Sequence, residues 1–275
     1  MISGFSTNIS LLILDKTKDK QIEVLTKQPM HKRSIEHFKE NIANVQNVDD
    51  LVDDYKTYSF VMKAFGLEDQ IFGKAMMKKI LSSDITDKKS LINRLTDPRF
   101  REIYKYMNFQ DAGKSNPNVT KDSWQEGIIN KYLEVQFENN QYEQNPSVGM
   151  ALYFERKAPG INNWYQVLAD KELSGFMRTA LGIPESMATT PIEKQKALFE
   201  DKYDITKLKS PYEVDKLQTR FAAMYDAQNA GNTAATFSPS NILLNSALNS
   251  GFFAPITIDI TSIGFNKIGA LSRFR

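Results

Sequence analysis

The residues best suited to chemistry are few, and their spacing argues against most of it. His31 and His37 are the only histidines in the 275-residue chain. Six positions apart on one helix, they point to different sides and do not make the i, i+4 pair that grips a metal ion. The expected arrangement is an exposed His31 and a half-buried His37. Four carboxylates crowd together at Asp49, Asp50, Asp53 and Asp54. That density suits a calcium loop or an acid–base pair, but the central glycine and terminal glutamate of the loop are missing. Acidic residues at a helix start are stabilised by the macrodipole, so capping accounts for this cluster. Trp124, Tyr153, Phe154, Trp164, Tyr165 and Phe176 fall at helical spacing, as core residues do. The 13 glycines are scattered, and neither a phosphate-cradling GxxxxGK[ST] or GxGxxG nor a GxSxG nucleophile elbow is present. No catalytic, cofactor-binding or metal-ligating residue is assigned, and a non-enzymatic protein without a cofactor is expected.

Composition narrows the classes further. With 35 basic and 33 acidic residues the net charge is +2, which provides no global field for nucleic acid. No nucleic-acid partner is expected. Cysteine is absent, which removes disulfides, thiolate metal sites and a cysteine nucleophile. The apolar run at Ile9 and Leu11 to Leu14 has no basic flank before it and no small-residue cleavage pattern after it, unlike a cleaved signal peptide. No window approaches the roughly 18 to 20 apolar residues that span a bilayer, so no membrane insertion is expected.

The elements that would position any site read as helices. Residues 9–28 carry an apolar stripe flanked by lysine stems and ended by Pro29. The pattern predicts further helices over 34–45, 51–65 with Gly66 as C-cap, 70–81, 90–95 and 98–108. Residues 110–120, rich in Gly, Asn, Ser and Pro, read as a linker. Helices follow over 121–140, 146–157, 164–181, 191–203 and 211–230, broken at Pro159-Gly160 and closed at Gly182 before Pro184.

Residues 34–67 align with 150–183 at a constant offset of 116. The identities are Phe38/Phe154, Asn47/Asn163, Asp54/Asp170, Phe60/Phe176, Ala64/Ala180 and Gly66/Gly182. Apolar character coincides at Val45/Ile161, Leu51/Val167, Val52/Leu168 and Val61/Met177, as shared buried faces require. Asp84-Ile85-Thr86 answers Asp204-Ile205-Thr206 further on. The expected fold is all-α, with two tandem, duplicated multi-helix units at 1–110 and 117–227. A charge-poor tail at 228–275 completes it. In that tail Ile256, Ile258 and Ile260 alternate with polar residues as in a strand. Such a strand pairs within its own chain, pairs with another subunit, or stays an extended arm. Ile242, Leu243, Leu244, Phe252, Phe253, Ile256, Ile258 and Ile260 are the candidate partner contacts, self-association among them.

The segments YSFVMKAFGL at 58–67, ALYFERKAP at 151–159, LADKELSGFMRTALGIP at 168–184, Lys194-Gln195 and RFAAMYD at 220–226 resemble the domain-of-unknown-function 1217 family. The resemblance covers most of residues 30–226. It implies an alphaproteobacterial kind of protein commonly encoded among flagellar genes, and it carries no catalytic signature. On that basis the expected role is a structural or assembly component of the bacterial flagellar system, with other flagellar proteins as partners. A cytoplasmic helical binding module, such as an export chaperone or regulator of a flagellar protein, is the alternative. Location is left between the cytoplasm and the flagellum, reached by export without a cleaved signal.

Overall fold

A computed structural model describes residues 6–229 of the chain. The chain divides into two compact units, Met1–Gln228 and Asn229–Arg275; nearly all of the second lies outside the described residues, as do the tail contacts and the strand expected there. The described residues form thirteen α-helices joined by short 3₁₀ turns and loops, with no sheet. The fold is all-α.

In the first segment the helices are α1 (Thr7–Lys27), α2 (Pro29–Asn41), α3 (Val48–Asp53), α4 (Tyr55–Ala64), α5 (Lys74–Leu81), α6 (Leu91–Arg94) and α7 (Pro98–Met107). The second contributes α8 (Asp122–Gln144), α9 (Pro146–Lys157), α10 (Trp164–Leu168), α11 (Lys171–Leu181), α12 (Ile192–Lys202) and α13 (Pro211–Asn229). Two apolar cores result. The first gathers Phe38, Phe60, Phe65 and Met77, and it also takes Ile128, Tyr132 and Leu133 from α8. The second gathers Phe154, Trp164, Phe176, Phe199 and Phe221. The central helix α8 packs on both α4 and α9, so the helix that begins the second segment in sequence completes the core of the first.

Where the sequence pattern predicts one helix over 51–65 and another over 164–181, the structure breaks each at an aspartate. Asp54 leaves helical geometry at ψ 91, and its carboxylate accepts from the amides of Lys56 and Thr57, capping α4. Asp170 does the same for α11 through the amide of Leu173. The apolar period runs on across both breaks, which is why it conceals them, whereas a side-chain cap offsets the interrupted backbone ladder. The preceding short helices also match: Asn47 and Asn163 both close capping boxes, with Asp50 and Gln166 in the third position. At the far ends Gly66 and Gly182 each adopt φ +67, and the next residue's amide reaches back five positions, Leu67 to Met62 and Ile183 to Arg178. Only glycine accepts that left-handed turn at low cost, which fixes this residue in both segments.

Residues 110–120 are no free linker. Gln110 and Ser115 form an isolated bridge, while Asn116 and Val119 are buried. The Asn116 side chain donates to the Met107 carbonyl, closing the loop onto α7. The polar and glycine-rich composition suits the tight backbone of this loop rather than flexibility. At the edge of the body the first helix is tied down: Thr7 donates its amide and hydroxyl to Asp226, and its hydroxyl lies 2.6 Å from that of Ser147.

Candidate functional site

Matched positions in the two segments build two clefts. Each segment has a ring stack in its core: Phe38 on Phe60 at 4.6 Å and Phe60 on Tyr132 at 4.2 Å in the first, where Phe60 and Tyr132 also line a cleft, and Phe154 on Phe176 at 3.9 Å and Phe176 on Phe221 at 4.3 Å in the second. The larger cleft, about 530 Å³, is lined by Glu138 and Tyr142 of α8, Tyr153 and Arg156 of α9 and Asp170 before α11, together with Asp97 and Arg99 of the first segment. That volume is of small-ligand size.

Its walls are charged and largely paired. Arg99 reaches the Gly66 carbonyl, forks onto Asp97 at 2.8 and 3.0 Å, and meets Asp69 at 3.2 Å. Arg156, from the last turn of α9, grips Glu138 of α8 with two bonds of 2.5 and 2.7 Å, and its guanidinium also covers the Tyr153 ring. The Tyr153 hydroxyl donates to Asp170 at 2.5 Å, so the same carboxylate caps α11 and anchors the cleft wall. Just beneath, Glu102 of α7 accepts from Lys131 of α8 at 2.9 Å and Lys157 of α9 at 2.8 Å, joining three helices through one carboxylate.

These contacts fix the charge states. Burial would raise the Glu102 carboxyl, but Lys157 and Lys131 outweigh it and hold the group at about 2. Burial would likewise lower Arg99 and Arg156, and their carboxylate partners reverse that and push both upward. Burial, reinforced by Asp170, drives the Tyr153 phenol well above its ordinary value. Burial lowers Lys157 against the pull of Glu102, and it raises Glu172 at the cleft rim with help from Asp170. The wall therefore presents fixed positive and negative positions suited to holding a polar ligand or a partner's side chains.

The smaller cleft, about 310 Å³, lies over the first stack. Five of its lining positions pair with lining positions of the larger cleft at the offset of 116: Arg33 with Gly149, Ser34 with Met150, His37 with Tyr153, Tyr55 with Lys171 and Lys56 with Glu172. His37 takes the place of Tyr153 against the capping aspartate, with Nε2 3.4 Å from Asp54.

The family described as proteins of unknown function, DUF1217, matches residues 64–214. The chain belongs to this family. The matched region includes both walls of the larger cleft, from Asp97 and Arg99 to Asp170 and Glu172. A solved structure of similar fold is that of protein AGR_C_984 from Agrobacterium tumefaciens, 33% identical with a TM-score of 0.72; the match covers 81% of this chain and 94% of that one. No curated protein matches the chain.

The residues singled out by type alone take structural posts. His31 is buried, not exposed: α2 begins at Pro29 and turns this side chain onto α8, where Nδ1 lies 2.9 Å from the Tyr132 hydroxyl. Burial, then the Lys63 charge, lowers its pKa and favours the neutral ring in its hydrogen bond with Tyr132. His37 is half-buried as expected. Asp50 and Asp54 are caps, and Asp49 and Asp53 flank Lys78 at 2.6 and 3.6 Å. Among the described residues no group of three or more His, Cys, Asp or Glu side chains is placed to hold a metal ion. Phe154, Trp164 and Phe176 are core, while Tyr165 is exposed. Sequence reasoning passed over Glu138, Arg156, Glu102 and Lys157. One signal was available: Glu138 and Gln141 sit on the buried stripe of α8, where a charge needs a partner.

Proposed function

We propose that the protein is a non-enzymatic structural or assembly component of the bacterial flagellar system that acts through protein–protein contacts. The family resemblance supplies the pathway. The observation that carries the contact reading is a set of large apolar side chains on the outside of an otherwise well-packed body. Phe72, in the turn before α5, is 91% exposed, Tyr212 at the start of α13 is 71% exposed, and Met30 on α2 is 66% exposed. Isolated exposed apolar residues are common, but a phenylalanine displayed almost whole is the kind of anchor that a partner's pocket takes up. The cleft is compatible with the same reading, because Arg99, Arg156 and Glu138 in its wall are paired with carboxylates or guanidinium groups of the chain itself.

Phe72 contributes nothing to either core, so Phe72→Asp is expected to leave folding and protein level unchanged. In the source bacterium, deletion of the gene and the F72D change are both expected to reduce swimming or filament assembly. A deletion strain that swims normally with intact flagella overturns the proposal. Recovery in purified basal bodies or secreted fractions supports the structural role, and an exclusively cytoplasmic pool bound to one flagellar protein would replace it with a chaperone.

A further inference from the structure

The smaller cleft has a feature that neither packing nor capping requires. Its lining contains Arg33, Lys56, Lys63 and His37, and Asp54, 3.4 Å from His37 Nε2, is a bordering carboxylate already occupied by the α4 amides and the Thr57 hydroxyl. Arg33 spends its Nε on the Pro29 carbonyl at 3.1 Å, and among the described residues neither Arg33 nor Lys56 has a carboxylate partner. Lys63 meets Glu68 at 3.2 Å, leaving Glu68 outside the cleft. A fourth cation stands at the edge, where Lys74 Nζ lies 5.6 Å from the centre of the half-exposed Tyr55 ring. Gathering like charges around a concave surface costs free energy, and low-dielectric walls focus the resulting field onto an anion.

The matched cleft shows that the scaffold itself does not ask for these charges. Where the first segment has Arg33, Lys56 and Lys63, the second has Gly149, Glu172 and Thr179 on the same helical frame. The cations are therefore particular to the smaller cleft. Beneath them the base is aromatic, the stacked Phe60 and Tyr132, with Tyr132 held in place by His31. Ser34 and Ser59 add hydroxyls to the wall. The amides at the start of α4 are already taken by Asp54, so an anion here is met by side chains and not by the helix end.

We propose that this cleft binds a small organic oxyanion carried on a flat apolar ring. The phosphate or carboxylate head sits between Arg33 and Lys56, with Lys63 behind it, and the ring lies toward Phe60 and Tyr132. This reading is independent of the flagellar role and of the contacts through Phe72.

Calorimetric titration of the full chain at low salt tests it with four probes: phenyl phosphate, benzoate, inorganic phosphate and phenol. Phenyl phosphate or benzoate is expected to bind saturably at one site, about 10-fold or more tighter than inorganic phosphate or phenol, because only the combined probe uses both charge and stacking. Which of the two binds tighter identifies the head group. Arg33→Gln combined with Lys56→Gln should weaken that binding by about 10-fold or more, since each removes one charge-assisted contact. Both positions are exposed, so folding is unaffected. Ser59→Trp, which fills the cleft without altering its charge, should abolish binding while the circular dichroism spectrum stays the same. The proposal is overturned if neither charged ring saturates a site at millimolar concentration. It also fails if the double glutamine variant binds as well as the original chain, or if inorganic phosphate or phenol binds as tightly as the charged rings.

Discussion

The two clefts share a frame and differ in lining. Both segments stack phenylalanines at matched positions in their cores, both place beside the cleft an aspartate that caps the following helix, and both end that helix in a left-handed glycine. The residues that repeat are those that the backbone and the core require. The lining positions change: Arg33, His37 and Lys56 of one cleft stand where the other has Gly149, Tyr153 and Glu172. One cleft carries an excess of positive charge around His37; the other closes Tyr153 into a lattice of paired charges with Arg99, Arg156 and Glu138. Matched caps and glycines beside unlike linings separate residues that shape the backbone from those that give each cleft its character.

The largest expected break in the comparison is at Gly149, the counterpart of Arg33. A Cβ at Gly149 meets the Tyr142 backbone, with Cα at 2.5 Å, because the end of α8 crosses directly over α9. At Arg33 the same position is exposed and holds a long side chain without strain. Gly149→Ala should therefore cost about 3 kcal/mol, from overpacking against main chain that has no room to move. Arg33→Ala should change stability by no more than about 0.5 kcal/mol, as exposed substitutions do. Denaturant unfolding of the two variants measures the contrast, and equal losses would remove the asymmetry.

Next in size is the carboxylate that ties the segments together. Glu102 is held at about 2 against its ordinary 4.5, so it favours the folded state wherever the unfolded chain would be ionised and the folded chain is too. That stabilisation is complete above pH 4.5 and disappears as the pH falls toward 2. It amounts to roughly 2 kcal/mol once partial solvent screening is allowed for. Glu102→Gln should remove a similar amount at pH 7 and flatten the acid limb of a stability–pH curve. An unchanged acid limb would show that Lys131 and Lys157 find other partners.

The sequence made the frame legible because caps, left-handed glycines and apolar periods are local signals. Asn47, Asn163, Gly66 and Gly182 could each be placed from a few neighbouring residues. It did not reveal the breaks at Asp54 and Asp170, where the apolar period runs straight through the interruption. The burial of His31 was hidden too, because it depends on where α2 begins and on a tyrosine 101 positions away. The larger cleft was illegible for the same reason. Arg156 and Glu138 are 18 residues apart, and Glu102 and Lys157 are 55 apart, so their pairing exists only after α7, α8 and α9 have packed. The cations of the smaller cleft were illegible likewise, because Arg33 on α2 and Lys56 and Lys63 on α4 meet only after the two helices pack.

The two capping aspartates offer a finer contrast. Asp54→Ala should cost about 1 kcal/mol, the usual value of a lost N-cap, since its bond to His37 is long at 3.4 Å and the buried Thr57 hydroxyl that it accepts from can turn to a carbonyl of the preceding turn. Asp170→Ala should cost about 2 kcal/mol, because it also leaves the Tyr153 hydroxyl without its acceptor inside a buried wall. Asp170→Asn keeps a cap and an acceptor and should recover most of the difference. Equal losses for the two alanine variants would mean that the Tyr153 bond adds nothing to the fold.

The smallest expected effect has the opposite sign. Tyr58 in α4 is wholly buried, and among the described residues its hydroxyl has no hydrogen-bond partner; burial alone pushes the phenol to about 12. Its matched residue in α11 is Ser174, whose hydroxyl donates to the Lys171 carbonyl at 3.1 Å. The first segment thus carries a desolvated polar atom where the second carries a satisfied one. Removing such an atom without changing the ring recovers its desolvation cost, so Tyr58→Phe should stabilise the protein by about 1 kcal/mol. For a body of this size that corresponds to a rise in Tm of about 2–4 °C. A fall in Tm would instead mean that the hydroxyl is hydrogen-bonded in solution, with Lys74, 5.9 Å from the ring centre, as the nearest cation to examine.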